Sequence, residues 1–273
     1  MHNIDIIKSS INTAMTQADY YKMSEDRKVV TPENLGGLLE YPKLFRAMQD
    51  DRELRPALSE AMSTGRAMSD FLTLSAEDFS KNYTIADGPV NPRTNLPYGH
   101  ETKAYAEWRA QQEKEPISTA QFNMFGKMAE AYNQHRYITD LSGMERLRNV
   151  IISAKVCGID VCCKIDNLYV SDKTVIAVDV KTAEDLIAFR SASTRLHYRE
   201  QQALIKLVLN IIGIPDAQVR IAAIEKGKMP RCGIFGVENL DTFALEVENS
   251  LTGYADSCAS GNFNTGFEAP CML

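Results

Sequence analysis

The run Cys163-Lys164-Ile165-Asp166, then Thr174-Val175-Ile176-Ala177-Val178-Asp179-Val180-Lys181, then Tyr198-Arg199-Glu200-Gln201, decides how this chain is read. The first two runs are apolar and β-branched, and Ser171-Asp172-Lys173 between them has turn chemistry, so they predict neighbouring strands of a hairpin. Residues two apart on a strand face one side. Asp179 and Lys181 therefore project together, Val180 is buried on the other face, and Asp166 arrives from the adjacent strand. A helical segment free of proline follows and carries Gln201.

Two carboxylates and a lysine suit a hard cation. Mg²⁺ takes oxygen ligands in octahedral array and keeps several waters. Asp166, Asp179 and the carbonyl of Val180 supply three positions. Such a cation lowers the pKa of a bound water and neutralises charge on a phosphate diester. Lys181 would orient that water or stabilise the transition state. The residues alone also allow a plainer reading, in which these are strand-end charges and Lys181 merely pairs with Asp179.

Working outward, strands are expected at 150–156, 161–170, 175–180, 219–224 and 232–237, with one long helix from Leu186 to Ile212 and another from Thr242 to Tyr254. Three strands, a crossover helix and two strands make one mixed sheet. Before residue 145 the chain reads as mainly helical. Thr31-Pro32-Glu33 has a hydroxyl cap and a proline suited to a first helical position. Short helices follow around Leu35–Leu39 and Pro42–Met48, and another from Gly65 to Leu74. Asp87–Pro97 is a proline-rich loop. Ser118-Thr119-Ala120-Gln121 is a capping box, and Phe122, Phe125, Ala129 and Tyr132 recur at helical spacing as a packing stripe. Residues 1–17 are read as a loose arm or short helix, 18–145 as the helical part and 146–257 as the sheet part of one domain, and 258–273 as an irregular tail.

With 273 residues, 44% apolar and 24% charged, the chain has an ordinary soluble composition. No apolar run approaches the roughly 18 residues of a membrane span, and Met1-His2-Asn3-Ile4-Asp5 lacks the basic and apolar parts of a secretory signal. Cytoplasmic placement is expected. The six cysteines show no C-x-x-C pair; Cys162 and Cys163 would point to opposite faces of a strand, and buried free thiols are expected. A net charge of −6 excludes a generally basic nucleic-acid coat. The stretch 190–231 nonetheless holds Arg190, Arg195, Arg199, Lys206, Arg220, Lys226, Lys228 and Arg231, either a track for a phosphate backbone or a solvated face.

The order of aspartate, Asp-x-Lys one strand later, then a helix resembles the PD-(D/E)XK nuclease superfamily. Tyr198-Arg199-Glu200-Gln201 is similar to the helix motif of its RecB-like branch, where the glutamine helps to hold DNA and the metal-bound water. Ala18-Asp19-Tyr20-Tyr21, Thr31-Pro32-Glu33-Asn34-Leu35, Tyr41-Pro42-Lys43-Leu44-Phe45, Gly65-Arg66-Ala67-Met68-Ser69 and Ala223-Ile224-Glu225-Lys226 extend the likeness to exonuclease VIII (RecE-type) domains of phages and prophages. The resemblance implies an α/β (α+β) fold with a mixed central sheet of the restriction-endonuclease type and an N-terminal helical region packed on it. It implies catalysis by Asp166, Asp179, Lys181 and Gln201, with Asp166, Asp179 and Val180 on Mg²⁺ (or Mn²⁺) and DNA contacts from Tyr198, Arg195 and Arg199. The expected function is 5′–3′ exonuclease action on double-stranded DNA ends in phage-type recombination, in a bacterial or phage-infected cell, with a single-strand annealing protein as partner and self-assembly into a homo-oligomer.

Two departures stand out. Where the family places a metal-binding histidine on its glycine-led helix, this chain has Ser69; Asp70 beside it points about 100° away on a helix. Four residues after Gln201, where the family tends to have an aromatic, stands Ile205. Loose metal binding is the expected consequence of Ser69. Alternatives are an endonuclease or single-strand nuclease of the same fold, or a catalytically weakened fold that binds DNA or a recombination partner. An iron–sulfur nuclease would need four clustered cysteines, which the spacing does not offer.

Overall fold

The structure is a computed structural model that describes residues 3–99 and 101–263. Helices α1 (Asn3–Ser10), α2 (Gln17–Glu25), α3 (Leu35–Glu40), α4 (Pro42–Asp50), α5 (Glu60–Thr73) and α6 (Ala76–Asn82) lead to strand β1 (Tyr83–Ile85). Helix α7 (Lys103–Ala110), strand β2 (Glu115–Ile117) and helices α8 (Thr119–Gln134) and α9 (Arg136–Asp140) follow. The second half runs β3 (Glu145–Val156), β4 (Ile159–Val170), β5 (Val175–Ala183), α10 (Phe189–Arg195), α11 (Tyr198–Ile211), β6 (Gln218–Glu225), β7 (Cys232–Phe235) and α12 (Leu240–Ser260).

The main sheet has the order β3-β4-β5-β6-β7. Neighbours are antiparallel except β5 and β6, which run parallel because α10 and α11 cross between them. β3 turns into β4 over Cys157-Gly158, both with positive φ (50° and 83°), the backbone that a two-residue hairpin requires. One sheet face packs on α3, α4, α11 and α12 through residues such as Ile152, Ile165, Leu204, Val208 and Leu251. The other packs on α5 and α8 through Met68, Phe125, Met128, Val178 and Val180. Phe71 meets both Phe122 and Phe125, so the α8 stripe is packing, and Ser118 forms the expected capping box.

Several local expectations are corrected. The single helix over 186–212 is two: His197 adopts a left-handed backbone (φ 54°) between α10 and α11. That conformation costs about 1–3 kcal/mol for a non-glycine residue and persists only where contacts impose it. Here the imidazole lies against Gly36, where an added Cβ would come within 2.8 Å of it, and its Nε2 lies 2.9 Å from Glu40 Oε1. Thr31-Pro32-Glu33 forms a turn, not the helix start. Thr31 N–H donates to Asn34 Oδ1 (2.9 Å) and Asn34 N–H to Thr31 Oγ1 (3.3 Å), closing that turn ahead of α3. Gly65 lies inside α5, which is capped by Ser59.

The first segment is packed: α1 buries Ile7 completely in the main core, worth roughly 1.5–3 kcal/mol. Residues 258–260, expected to be irregular, extend α12, while 264–273, with Cys271, lie outside the described residues. The pair β1–β2 and the helices α6 and α7 had no sequence expectation. Cys162 and Cys163 are buried in separate clusters as expected, whereas Cys157 and Cys258 are exposed. Among the described residues, no helix is long and apolar enough to cross a membrane.

Candidate active site

The site is a fork in the sheet. β4 and β5 are paired only from Asn167↔Val178 to Val170↔Val175. Beyond that point β4 stays with β3 and β5 stays with β6, so the two strands part at Asp166 and Asp179. The freed edge of β4 is taken by Val30, whose N–H donates to Asp160 O and whose carbonyl accepts from Cys162 N–H, both at 2.9 Å. The same residues change the side on which β4 buries its apolar positions. Val161, Cys163 and Ile165 share a core cluster with Leu168 and Val170, so strict alternation breaks at Asp166-Asn167. Across from it, between the pairs Arg148↔Asn167 and Val150↔Ile165, Asn149 has φ 49°.

Asp166, Asp179, Val180 and Lys181 line one cavity of about 440 Å³ inside the fork, walled by α5 through Gly65 and Ser69 and by Tyr198 at the start of α11. Asp166 is buried and heavily bonded. Its Oδ1 accepts from Ser69 Oγ and from Lys164 Nζ, both at 2.6 Å, and its Oδ2 accepts from Val180 N–H at 2.8 Å. Asp179 Oδ2 accepts from Gln202 Nε2 at 2.6 Å and pairs with Lys181 Nζ at 3.0 Å. Each carboxylate oxygen has two lone pairs. One is left on Asp166 Oδ2, and no bond among the described residues engages Asp179 Oδ1. The N–H and C=O of one strand residue point to the same edge, so the Val180 carbonyl faces the fork as its N–H does.

The electrostatics separate the two acids. Burial would raise Asp166, but the Lys164 charge and the bonds from Lys164, Ser69 and Val180 outweigh it and hold its pKa below the usual carboxylate range. At Asp179 burial, with Asp166 nearby, prevails over Lys181 and Gln202, and its pKa is raised. Burial pulls both lysines down, yet Asp166 acting on Lys164 and Asp179 acting on Lys181 leave both above their ordinary value, hence charged. Lys181 Nζ also stands 5.1 Å from the centre of the Tyr198 ring.

A hard divalent cation fits this donor set: one oxygen from each aspartate and the Val180 carbonyl, with open cavity for waters. No cluster of three His, Cys, Asp or Glu side chains that could hold a metal ion occurs among the described residues, so a third protein donor for such a cation would have to be of another kind, such as the Val180 carbonyl.

Of the remaining candidates, Tyr198 lines the cavity and Arg195 is exposed on α10. Arg199 turns away, its guanidinium 5.0 Å from the Phe243 ring of α12. Gln201 is not brought to the aspartates: its Nε2 donates to Leu196 O at 3.0 Å, across the break between α10 and α11. Nor is the basic stretch one track. Lys206 is buried and donates to the carbonyls of Pro215 and Ala217, and Lys226 and Arg231 pair with Glu184 and Glu225. Asp70 is bonded by Tyr83 (2.7 Å) and Gln17, away from the fork. Three residues were missed from sequence. Lys164 shares strand parity with Asp166, Gln202 follows Gln201, and Glu33, which lines the cavity and accepts from Tyr20, sits in the turn before α3.

No protein-family profile and no curated protein matches the chain. A crystal structure of a candidate exonuclease from Eubacterium rectale matches it with a TM-score of 0.62 over 95% of each chain, at 14% identity. The likeness is one of fold. The expected fold class, an α/β arrangement with a mixed central sheet and helices packed on it, is the observed one.

Proposed function

We propose that the fork between β4 and β5 hydrolyses phosphodiester bonds and that the protein is a divalent-metal-dependent deoxyribonuclease. The observation that carries this reading is the disposition of Asp166 and Asp179. Both are fixed by hydrogen bonds, and each keeps accepting capacity at the same cavity, one lone pair on Asp166 Oδ2 and the Oδ1 of Asp179, with Lys181 beside them. A cation held by those oxygens and the Val180 carbonyl would supply an acidified water and charge neutralisation at phosphate. Gln202 and Lys181 hold the Asp179 carboxylate in one orientation. Lys181, which lines the cavity, would donate toward a bound phosphoryl oxygen or water, where a fixed positive charge stabilises the extra charge of the transition state.

The finer reading is a 5′–3′ exonuclease acting on double-stranded DNA ends in phage-type recombination. It would work in the cytoplasm beside a single-strand annealing protein, as a homo-oligomer. The RecE-type resemblance supports it, as does the fold shared with a candidate exonuclease. Linear duplex labelled at the 5′ or the 3′ end, with a circular control, tests it with Mg²⁺ and with chelator. Early release of 5′ label, an intact circle and silence under chelation are expected. A second reading, DNA or partner binding with weakened catalysis, is favoured by the Ser69 and Lys164 bonds that occupy Asp166 Oδ1. DNA retention without cleavage in Mg²⁺ or in Mn²⁺ would select it.

A further inference from the structure

Lys164 belongs to no expectation drawn from the sequence, yet it is among the most buried charges in the chain, its side chain 4% exposed. Its Nζ donates to Asp166 Oδ1 at 2.6 Å and to Ser69 Oγ at 3.1 Å, and lies 5.7 Å from the centre of the Tyr21 ring. A buried ammonium is costly to desolvate and is kept only where a partner compensates it. The partner here is an aspartate that the proposed reaction needs for something else.

We infer that Lys164 is a built-in cation of the site: it fills the Oδ1 side of Asp166, so that the carboxylate pair accepts one divalent ion and not two. The inference rests on the metal-site reading above. A two-metal site places its ions about 3.5–4 Å apart, which calls for a carboxylate able to share its oxygens between them. Asp166 cannot share. Both lone pairs of Oδ1 are committed, to Ser69 and to Lys164, and Oδ2 retains one beside the Val180 N–H bond. The charge count agrees, since Asp166 and Asp179 already face Lys164 and Lys181. Lys164 is thus a positioning residue: it turns Asp166 so that Oδ2 points into the fork, and it competes with the incoming ion for the carboxylate charge.

The test is Mn²⁺ binding to the full chain, by calorimetry and by the electron-spin signal of free Mn²⁺, with circular dichroism on every variant. Wild type should bind one ion, and Asp179→Asn should lose it. Lys164→Met and Lys164→Gln, which leave a buried carboxylate uncompensated, should bind a second ion or bind the first at least about tenfold tighter. Ser69→Ala, which keeps the ammonium, should remain at one ion. Two ions in wild type at saturation would overturn the inference without any variant. So would one ion of unchanged affinity in either folded Lys164 variant. Absence of binding in wild type, or wild-type binding by Asp179→Asn, would instead remove the metal-site reading, and this inference with it.

Discussion

The side-chain amide of Gln202 donates to Asp179 Oδ2 at 2.6 Å, tying helix α11 to the strand that carries the site. Gln202 is almost wholly buried, and Asp179 is the acid whose pKa burial raises. Gln202→Ala removes a hydrogen bond to a carboxylate, about 1.5–3 kcal/mol of stability, and lets Asp179 leave the orientation that serves the cavity. Nuclease turnover is expected to fall by roughly tenfold or more. Gln201→Ala, which disturbs only the junction at Leu196, should cost less activity. The reverse ranking in a side-by-side assay would reject Gln202 as the positioning glutamine.

Asp179→Asn and Lys181→Ala should each abolish most cleavage while the far-ultraviolet dichroism stays unchanged. The first removes a negative oxygen from the cation site. The second removes a fixed positive charge whose value lies in the transition state, on the order of 10²–10³ in rate. Near wild-type rates in either variant would sink the assignment.

Ser69 stands 2.6 Å from Asp166 Oδ1, so an imidazole introduced there enters the immediate surroundings of the site. Ser69→His should lower the metal concentration for half-maximal activity, more for Mn²⁺ than for Mg²⁺, because Mn²⁺ accepts imidazole more readily. Titrating both metals in both proteins decides it. Identical titration curves would place position 69 outside the metal's reach.

Away from the site, Glu225 accepts from Arg231 Nε at 2.6 Å and from Leu186 N–H at 2.9 Å, which pins the loop after β5. The Arg231 bond, then the Leu186 N–H, hold its pKa down at about 2, against an ordinary 4.5. A carboxyl lowered on folding stabilises the fold above its unfolded pKa and ceases to as pH falls through the folded one. Glu225→Gln should therefore melt earlier than wild type at pH 7, with the gap closing between about pH 4.5 and pH 2. The Arg231 side chain is 62% exposed, so solvent screening keeps the effect small. A gap that widened with acidification would contradict the assignment.

What the sequence made legible follows from periodicity. Asp166, Asp179 and Lys181 could be placed because a strand alternates and the hairpin turn is short; the same parity should have exposed Lys164, two residues before Asp166. Gln202 was hidden for a different reason. A run without proline or glycine reads as unbroken helix, but His197 is forced left-handed by Gly36 and Glu40, some 160 residues earlier, and the break resets which glutamine faces the sheet. Three-residue strands such as β1 and β2 have too few positions to show a period. Glu33 lines the site three residues after Val30 bridges to β4, a tertiary contact with no local signature.

The bond from Val180 N–H to Asp166 Oδ2 also bears on how the protein should be dissected. At the point where main-chain pairing between β4 and β5 stops, this side chain stands in for the missing carbonyl acceptor and holds the two strands at a fixed opening. Asp166 is a rivet as well as a reagent. Asp166→Ala would strand a buried N–H and leave Lys164 without its carboxylate partner, so its inactivity would mix lost chemistry with a sprung joint. Asp166→Asn keeps an acceptor for the N–H, and Asp179, whose oxygens touch only side chains, is the cleaner position for a catalytically silent, DNA-trapping form of the protein.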